Sequence, residues 1–129
     1  MTREYVLRQQ LQNRGAFASI RFDIINKLDE DRSLVFLYEA DIKWKSACET
    51  GTLIFYDYFT RVKEGSLTVK IIEVKWLPVD TNHLTILYSV VKGLSELLNM
   101  PIKSLQLDNA TETFNFPERR SLNLKTPGV

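Results

Sequence analysis

The chain reads as an α+β domain with its elements in the order β-β-β-α-β-α, followed by a C-terminal extension. Three observations predict that class. Between Glu4 and Ala40 apolar and polar residues alternate, which is the period of half-buried strands. From Lys43, and again after Pro78, apolar residues recur at helical spacing. The stretch between those segments, Leu67 to Leu77, is dense in β-formers and is bounded by Gly65 and Pro78.

Glu4 to Gln12 sets Tyr5, Leu7 and Leu11 at alternate positions, with Arg8, Gln10 and Gln12 between them. Asn13-Arg14-Gly15 supplies a turn, because Asn and Gly tolerate positive φ. Ala18, Ile20, Phe22 and Ile24 then alternate with Ser19, Arg21 and Asp23, so a β-hairpin is expected from Glu4 to Ile25. A charged turn, Asp29–Arg32, leads into a third strand, Ser33–Ala40, with Leu34, Phe36 and Tyr38 on one face. The economical arrangement of these three strands is an antiparallel meander.

Trp44, Ala47, Cys48, Gly51, Ile54, Phe55, Tyr58, Phe59 and Val62 fall on one stripe and predict an amphipathic helix. Gly51 in mid-stripe costs up to about 1 kcal/mol of helix propensity relative to Ala. Close approach to the sheet or to a second helix would offset that cost. In the strand that follows, Leu67, Val69 and Ile71 point one way and Ile72, Val74 and Trp76 the other. Either a bulge shifts the register near Ile71, or both faces are partly covered. Pro78 ends the strand, and Asp80 is placed to cap the next helix. Leu84, Leu87, Tyr88, Val91, Leu94 and Leu98 form the main stripe of that helix. Ile86, Val90 and Leu97 widen it to about half the circumference, more than one packing surface requires.

Past Met100-Pro101, Ile102–Leu107 and Thr111–Phe116 read as two short strands around Asp108-Asn109-Ala110, and residues 117–129 as an extended tail. The expected organisation is one domain over residues 1–101 and a C-terminal extension over 102–129. That extension would pack on the same domain or on a partner subunit.

A chain of 129 residues is long enough for one hydrophobic core without disulfides or metal. Hydrophobic content of 44% with 26% charged residues excludes wholesale disorder. Seventeen basic residues against sixteen acidic give +1, so no whole-protein field exists to hold nucleic acid or an anionic membrane. A local basic face stays open. Cys48, the one cysteine, has no internal disulfide partner and fits a reducing compartment. No apolar run approaches the ~20 residues of a membrane-spanning helix. The N-terminal Met1-Thr2-Arg3-Glu4-Tyr5 leads into no signal core, so the expectation is a cytoplasmic protein with no membrane partner.

Three stretches, in their order along the chain, resemble domain IV of elongation factor G. The hairpin Arg8-Gln9-Gln10-Leu11-Gln12-Asn13-Arg14-Gly15-Ala16-Phe17 is similar to that family's Arg-Gln-Thr-Gly-Gly-Arg-Gly-Gln-Tyr turn. The helix around Ala47 to Phe59 is similar to one that also carries a central glycine. Val79-Asp80-Thr81-Asn82-His83-Leu84 resembles the Val-Asp-Ser-Ser-Glu-Met/Leu that opens the family's second helix. The likeness runs from Glu4 to Met100. It implies a two-layer α/β sandwich, in which a four-stranded mixed sheet carries both helices on one face. It also implies a left-handed crossover between the third and fourth strands. Ribosomal proteins and sugar kinases share that plan, so it does not settle function. The family's two long tip loops, one rich in Gly-Gly-Val-Ile-Pro and one Gly-Ser-Tyr-His, are reduced here to Asp41-Ile42-Lys43-Trp44 and Leu77-Pro78. No phosphate-binding glycine loop is present in the sequence. The resemblance therefore implies the scaffold without the residues that would act in translocation.

Candidate chemistry is sparse. His83, the one histidine, has only Asp80 near it in sequence, and helix capping and exposure account for both. Cys48 lies on the apolar stripe between Trp44 and Phe55, which makes it a core residue. One His and one Cys without clustered carboxylates build no standard zinc site, so no metal, cofactor or catalytic residue is expected. Arg8, Arg21 and Lys70, with Arg14 at the turn, are candidates for a nucleic-acid face, although Asp23 and Glu73 on neighbouring strands would offset their charge. Leu53, Tyr56, Trp76, Ile86, Leu97, Phe114 and Phe116 exceed what one core accommodates. Of these, Trp76, Ile86, Leu97, Phe114 and Phe116 are candidates for an interface, unless the C-terminal segment folds back over them. The functional expectation is a non-enzymatic binding or assembly module that self-associates as a dimer. The alternatives are an RNA- or ribosome-associated accessory protein and a small-molecule enzyme using the cleft of the fold.

Overall fold

Alternating hydrophobicity lays down the first hairpin. Strands β1 (Thr2–Gln10) and β2 (Gly15–Lys27) pair antiparallel without interruption from Thr2↔Asp23 to Gln10↔Gly15. The turn between them closes where the Leu11 N–H donates to the Arg14 carbonyl at 2.7 Å. The computed structural model describes residues 2–11, 13–28, 32–108, 111 and 113–116. The centre of the expected Asp29–Arg32 turn, residues Asn109 and Ala110, and the expected tail 117–129 lie outside those residues.

The third strand does not continue a meander. β3 (Leu34–Tyr38) pairs with β4 (Ser66–Lys75), parallel to it, and the sheet order is β1-β2-β4-β3. Burial explains the exchange. The inward residues of β4, Leu67, Val69 and Ile71, are wholly buried, whereas Leu34, Phe36 and Tyr38 of β3 are only half-buried. The more apolar strand takes the centre and the five-residue strand takes an edge. A parallel neighbour requires a crossover, and helix α1 (Lys45–Val62) provides it after a 3-10 turn at Ile42–Trp44.

The phase change in β4 is a bulge. Arg21 pairs with Glu73 and Phe22 with Ile71, so Ile72 is the extra residue and Val74 turns back into the core.

Both helices lie on one face of the sheet, where Phe22, Ile20, Leu67, Val69 and Ile71 meet Phe55, Phe59, Ile86, Val90 and Leu94. Two glycines set the spacing. A β-carbon at Gly51 would lie 2.9 Å from the Leu87 carbonyl oxygen, which places the tightest approach of α1 against helix α2 (His83–Leu97). A β-carbon at Gly93 would lie 2.9 Å from both Phe22 Cε2 and Tyr5 Cβ, so α2 presses on the first hairpin.

Two expectations for α2 need correction. Its N-cap is Asn82, not Asp80. The Asn82 side chain accepts from the Thr85 N–H at 2.9 Å, and the Asn82 N–H donates to the Thr85 hydroxyl oxygen at 3.3 Å. Asp80 lies in the preceding turn, its carbonyl accepting from the Phe17 N–H at 3.0 Å. Leu84 is exposed, because the buried face runs through Thr85, Ile86, Ser89, Val90 and Gly93.

The C-terminal segment folds back. Ile102 and Leu105 enter the core, and strands β5 (Gln106–Asp108) and β6 (Thr113–Asn115) form a separate small hairpin. Phe114 and Phe116 pack on Tyr88, with ring centroids 4.8 and 6.3 Å away. The extra width of the α2 stripe is thus partly used by its own chain.

Candidate functional site

With both helices on one side, the opposite face of the sheet carries no packed element among the described residues. The pairing register shows what it presents. The even-numbered residues of β1 and the odd-numbered residues of β2 and β3 project there. Val6, Ile25, Val35 and Leu37 are each 46–48% exposed. Thr68 is opposite both Ile25 and Val35, which makes a row across β2, β4 and β3 with Leu37 two residues further along β3, whereas Val6 lies apart, opposite Ser19.

Charged residues fill the neighbouring rows, and two of the cations are matched. Arg21 lies between Glu4 on β1 and Glu73 on β4, and its Nη1 is 3.5 Å from Glu73 Oε1. Lys70 Nζ bridges Glu39 Oε2 at 2.9 Å. Glu4 is held over the face by the Ser19 hydroxyl, which donates to it at 2.5 Å.

The sequence-derived cations are spread over the sheet, and of them Arg21 and Lys70 have acidic partners. Arg8 reaches back over the Phe17 ring, its guanidinium carbon 5.2 Å from the centroid. Arg14 is half-buried at the hairpin turn. Beside Arg8 lies a cavity of about 350 Å³, lined by Gln10, Gly15, Phe17, Leu77 and Asp80 among others.

The five apolar interface candidates do not gather into one surface. Ile86 is wholly buried in the chain's own core and is excluded from an interface in this fold. Trp76 packs edge-on against Trp44 at 5.7 Å, near the start of α2, while Leu97 lies half-buried at its far end. Phe114 and Phe116 are those that cover Tyr88. The outer-face aliphatics were missed by sequence reasoning. Their signal is the pairs Ile24-Ile25 and Leu34-Val35, where apolar residues run on instead of alternating.

Among the described residues, the titratable groups with shifted pKa values are buried or half-buried ones. Cys48 is wholly buried, and that burial pushes its thiol pKa up to about 12, away from a nucleophilic thiolate. Burial also raises Tyr5, Tyr38 and Tyr88, with nearby ionisable groups adding to it. His83 Nε2 lies 3.3 Å from the Lys43 carbonyl oxygen, and its ring is 5.2 Å from that of Trp44. The Trp44 indole N–H is buried without a hydrogen-bond partner. Among the described residues no group of three or more His, Cys, Asp or Glu could hold a metal ion. Among them, too, no helix is long and apolar enough to cross a membrane.

No protein-family model matches the sequence. No curated protein matches it either. The fold does match solved structures, among them the crystal structure of a protein from Thermus thermophilus, with a TM-score of 0.52 at 14% identity. The match covers 70% of this chain and 14% of that one, so the chain corresponds to a small part of the longer protein. At that identity the likeness is one of fold alone: an α+β domain with a four-stranded mixed sheet and two helices, similar to a segment of the Thermus protein.

Proposed function

We propose that the chain is a non-enzymatic, self-associating binding module built on a scaffold of the elongation factor G domain IV kind. The strand order, the central glycine of α1 and the Val79-Asp80 turn before α2 support the scaffold. The shortened tip loops speak against a role in translocation. The function rests on one observation. A sheet covered by helices on one face presents Val6, Ile25, Val35 and Leu37 on the other, where Arg21 and Lys70 are already bridged to acids within the chain. Such a face gains from burial against another protein surface. It offers a polyanion little, because counterion release needs cations free to reach phosphate.

Sedimentation velocity of the purified chain over a hundredfold concentration range tests this reading. A reversible shift from monomer to dimer is expected, and one monomeric species throughout would refute it. A second reading, RNA binding, is favoured by one feature, the Arg8 guanidinium lying over the Phe17 ring beside the cavity. It predicts salt-dependent binding of single-stranded RNA that Arg14→Glu weakens. Anisotropy unchanged by RNA at low salt would remove it.

A further inference from the structure

Self-association leaves open which surface pairs, and the following rests on that reading. β1 is an edge strand whose one strand neighbour among the described residues is β2. Natural edge strands discourage pairing by being short, by carrying proline or charged side chains, or by bulging; the charges of β1 are of both signs, so they can match those of a second copy. β3, the other edge, is five residues long. β1 is nine residues long, holds no proline, and keeps an unbroken register with β2.

Its sequence, Thr-Arg-Glu-Tyr-Val-Leu-Arg-Gln-Gln, is complementary to its own antiparallel copy. Set Val6 opposite Val6 of a second copy. Glu4 then faces the second copy's Arg8, and Arg8 faces its Glu4. On the helix-covered side Tyr5 faces the second copy's Leu7, and the reverse. Glu4, Val6 and Arg8 are all exposed and all project to the bare face of the sheet. One register thus yields two opposite-charge pairs around an aliphatic contact, the combination that stabilises an antiparallel strand pair. A slip of two residues in either direction puts Val6 opposite Arg8 or Glu4 and loses both charge pairs. The side chains are also partly held in place beforehand, Glu4 by Ser19 and Arg8 by Phe17, which lowers the ordering cost of association.

We infer that β1 is the dimerisation strand: two copies pair antiparallel through Thr2–Gln10, centred on Val6 and locked by reciprocal Glu4–Arg8 pairs. The result is one continuous sheet across both copies, with both helix layers on the same side. A two-fold interface of this kind is self-complementary by construction.

Charge reversal tests it in the full chain. Glu4→Arg and Arg8→Glu, made separately, each turn two attractive pairs into two repulsive ones, and each should weaken the dimer about tenfold or more. Mixing the two single variants in equal amounts should restore dimers, because every facing pair is then of opposite sign. The double variant Glu4→Arg/Arg8→Glu should also dimerise alone. Val6→Lys, at an exposed position, should favour the monomer, with circular dichroism showing that it stays folded. If the wild type dimerises but the variants dimerise equally well, or if mixing restores nothing, pairing through β1 is overturned while self-association stands. A wild type that is monomeric at every concentration removes both.

Discussion

A β-carbon on Gly51 would meet the Leu87 carbonyl oxygen at 2.9 Å and Val90 Cβ at 3.0 Å, so the helices must separate to admit it. Gly51→Ala gains up to about 1 kcal/mol of helix propensity. Overpacking costs about 1–3 kcal/mol, and here the obstacle is backbone, which cannot swing aside. Net destabilisation is expected, read as a lower urea midpoint with an unchanged m-value. Cys48 gives a second residue-level prediction. Its pKa rises from the ordinary 9.0 to about 12 in the folded chain, so above pH 9 the unfolded state loses a proton that the folded state keeps. Stability from this group is full below pH 9 and falls as pH climbs toward 12. The slope is at most about 1.4 kcal/mol per pH unit. Native protein should accordingly resist alkylation at pH 8 and react once unfolded in urea, whereas fast labelling of the native thiol would place Cys48 outside the core. Both residues were legible in the sequence because each sits on the apolar stripe of α1. Gly51's contact with α2 was one of two options there, and only tertiary packing could choose between them.

Among the elements, α2 separates local from tertiary information. Asp80 and Asn82 are both good cap residues, and sequence preference alone picks either. The Asn82–Thr85 reciprocal bonds decide for Asn82. Asn82→Ala should cost about 1 kcal/mol, and Asp80→Ala should leave the helix start intact, with thermal melts distinguishing them. An equal loss from both would contradict the assigned cap. The strands show a similar division. Their existence, the first hairpin and the two short C-terminal strands follow from local alternation and β-formers, and a register shift near Ile71 was one of two options the phase change allowed. The position of β3 does not, because alternation marks a strand without naming its neighbour. A meander is the shortest connection, and it lost to the greater burial of Leu67, Val69 and Ile71 at the sheet centre. The outer-face site was illegible for a related reason. Ile25 and Val35 come from strands that are not adjacent, and only the pairing register, through Thr68, brings them and Leu37 together, while Val6 lies apart on β1.

At the scale of the whole molecule the feature that matters is asymmetry. One face of the sheet is covered by α1 and α2, with Phe114 and Phe116 folded onto Tyr88, so much of the apolar surplus in the sequence is internal. The other face is bare and the long edge of β1 is unmatched by any strand among the described residues. A charge of +1 gives two copies little mutual repulsion to overcome. The most direct measurement is hydrogen–deuterium exchange of the full chain at two protein concentrations, one below and one above the dimer transition. Exchange in Thr2–Gln10 should slow on concentration while α1 and α2 stay unchanged, because the covered face is already internal and the sheet edge is what a second copy protects. Slowing confined to the helices, or no slowing anywhere, would contradict the assignment of the bare sheet and its edge as the surface that associates.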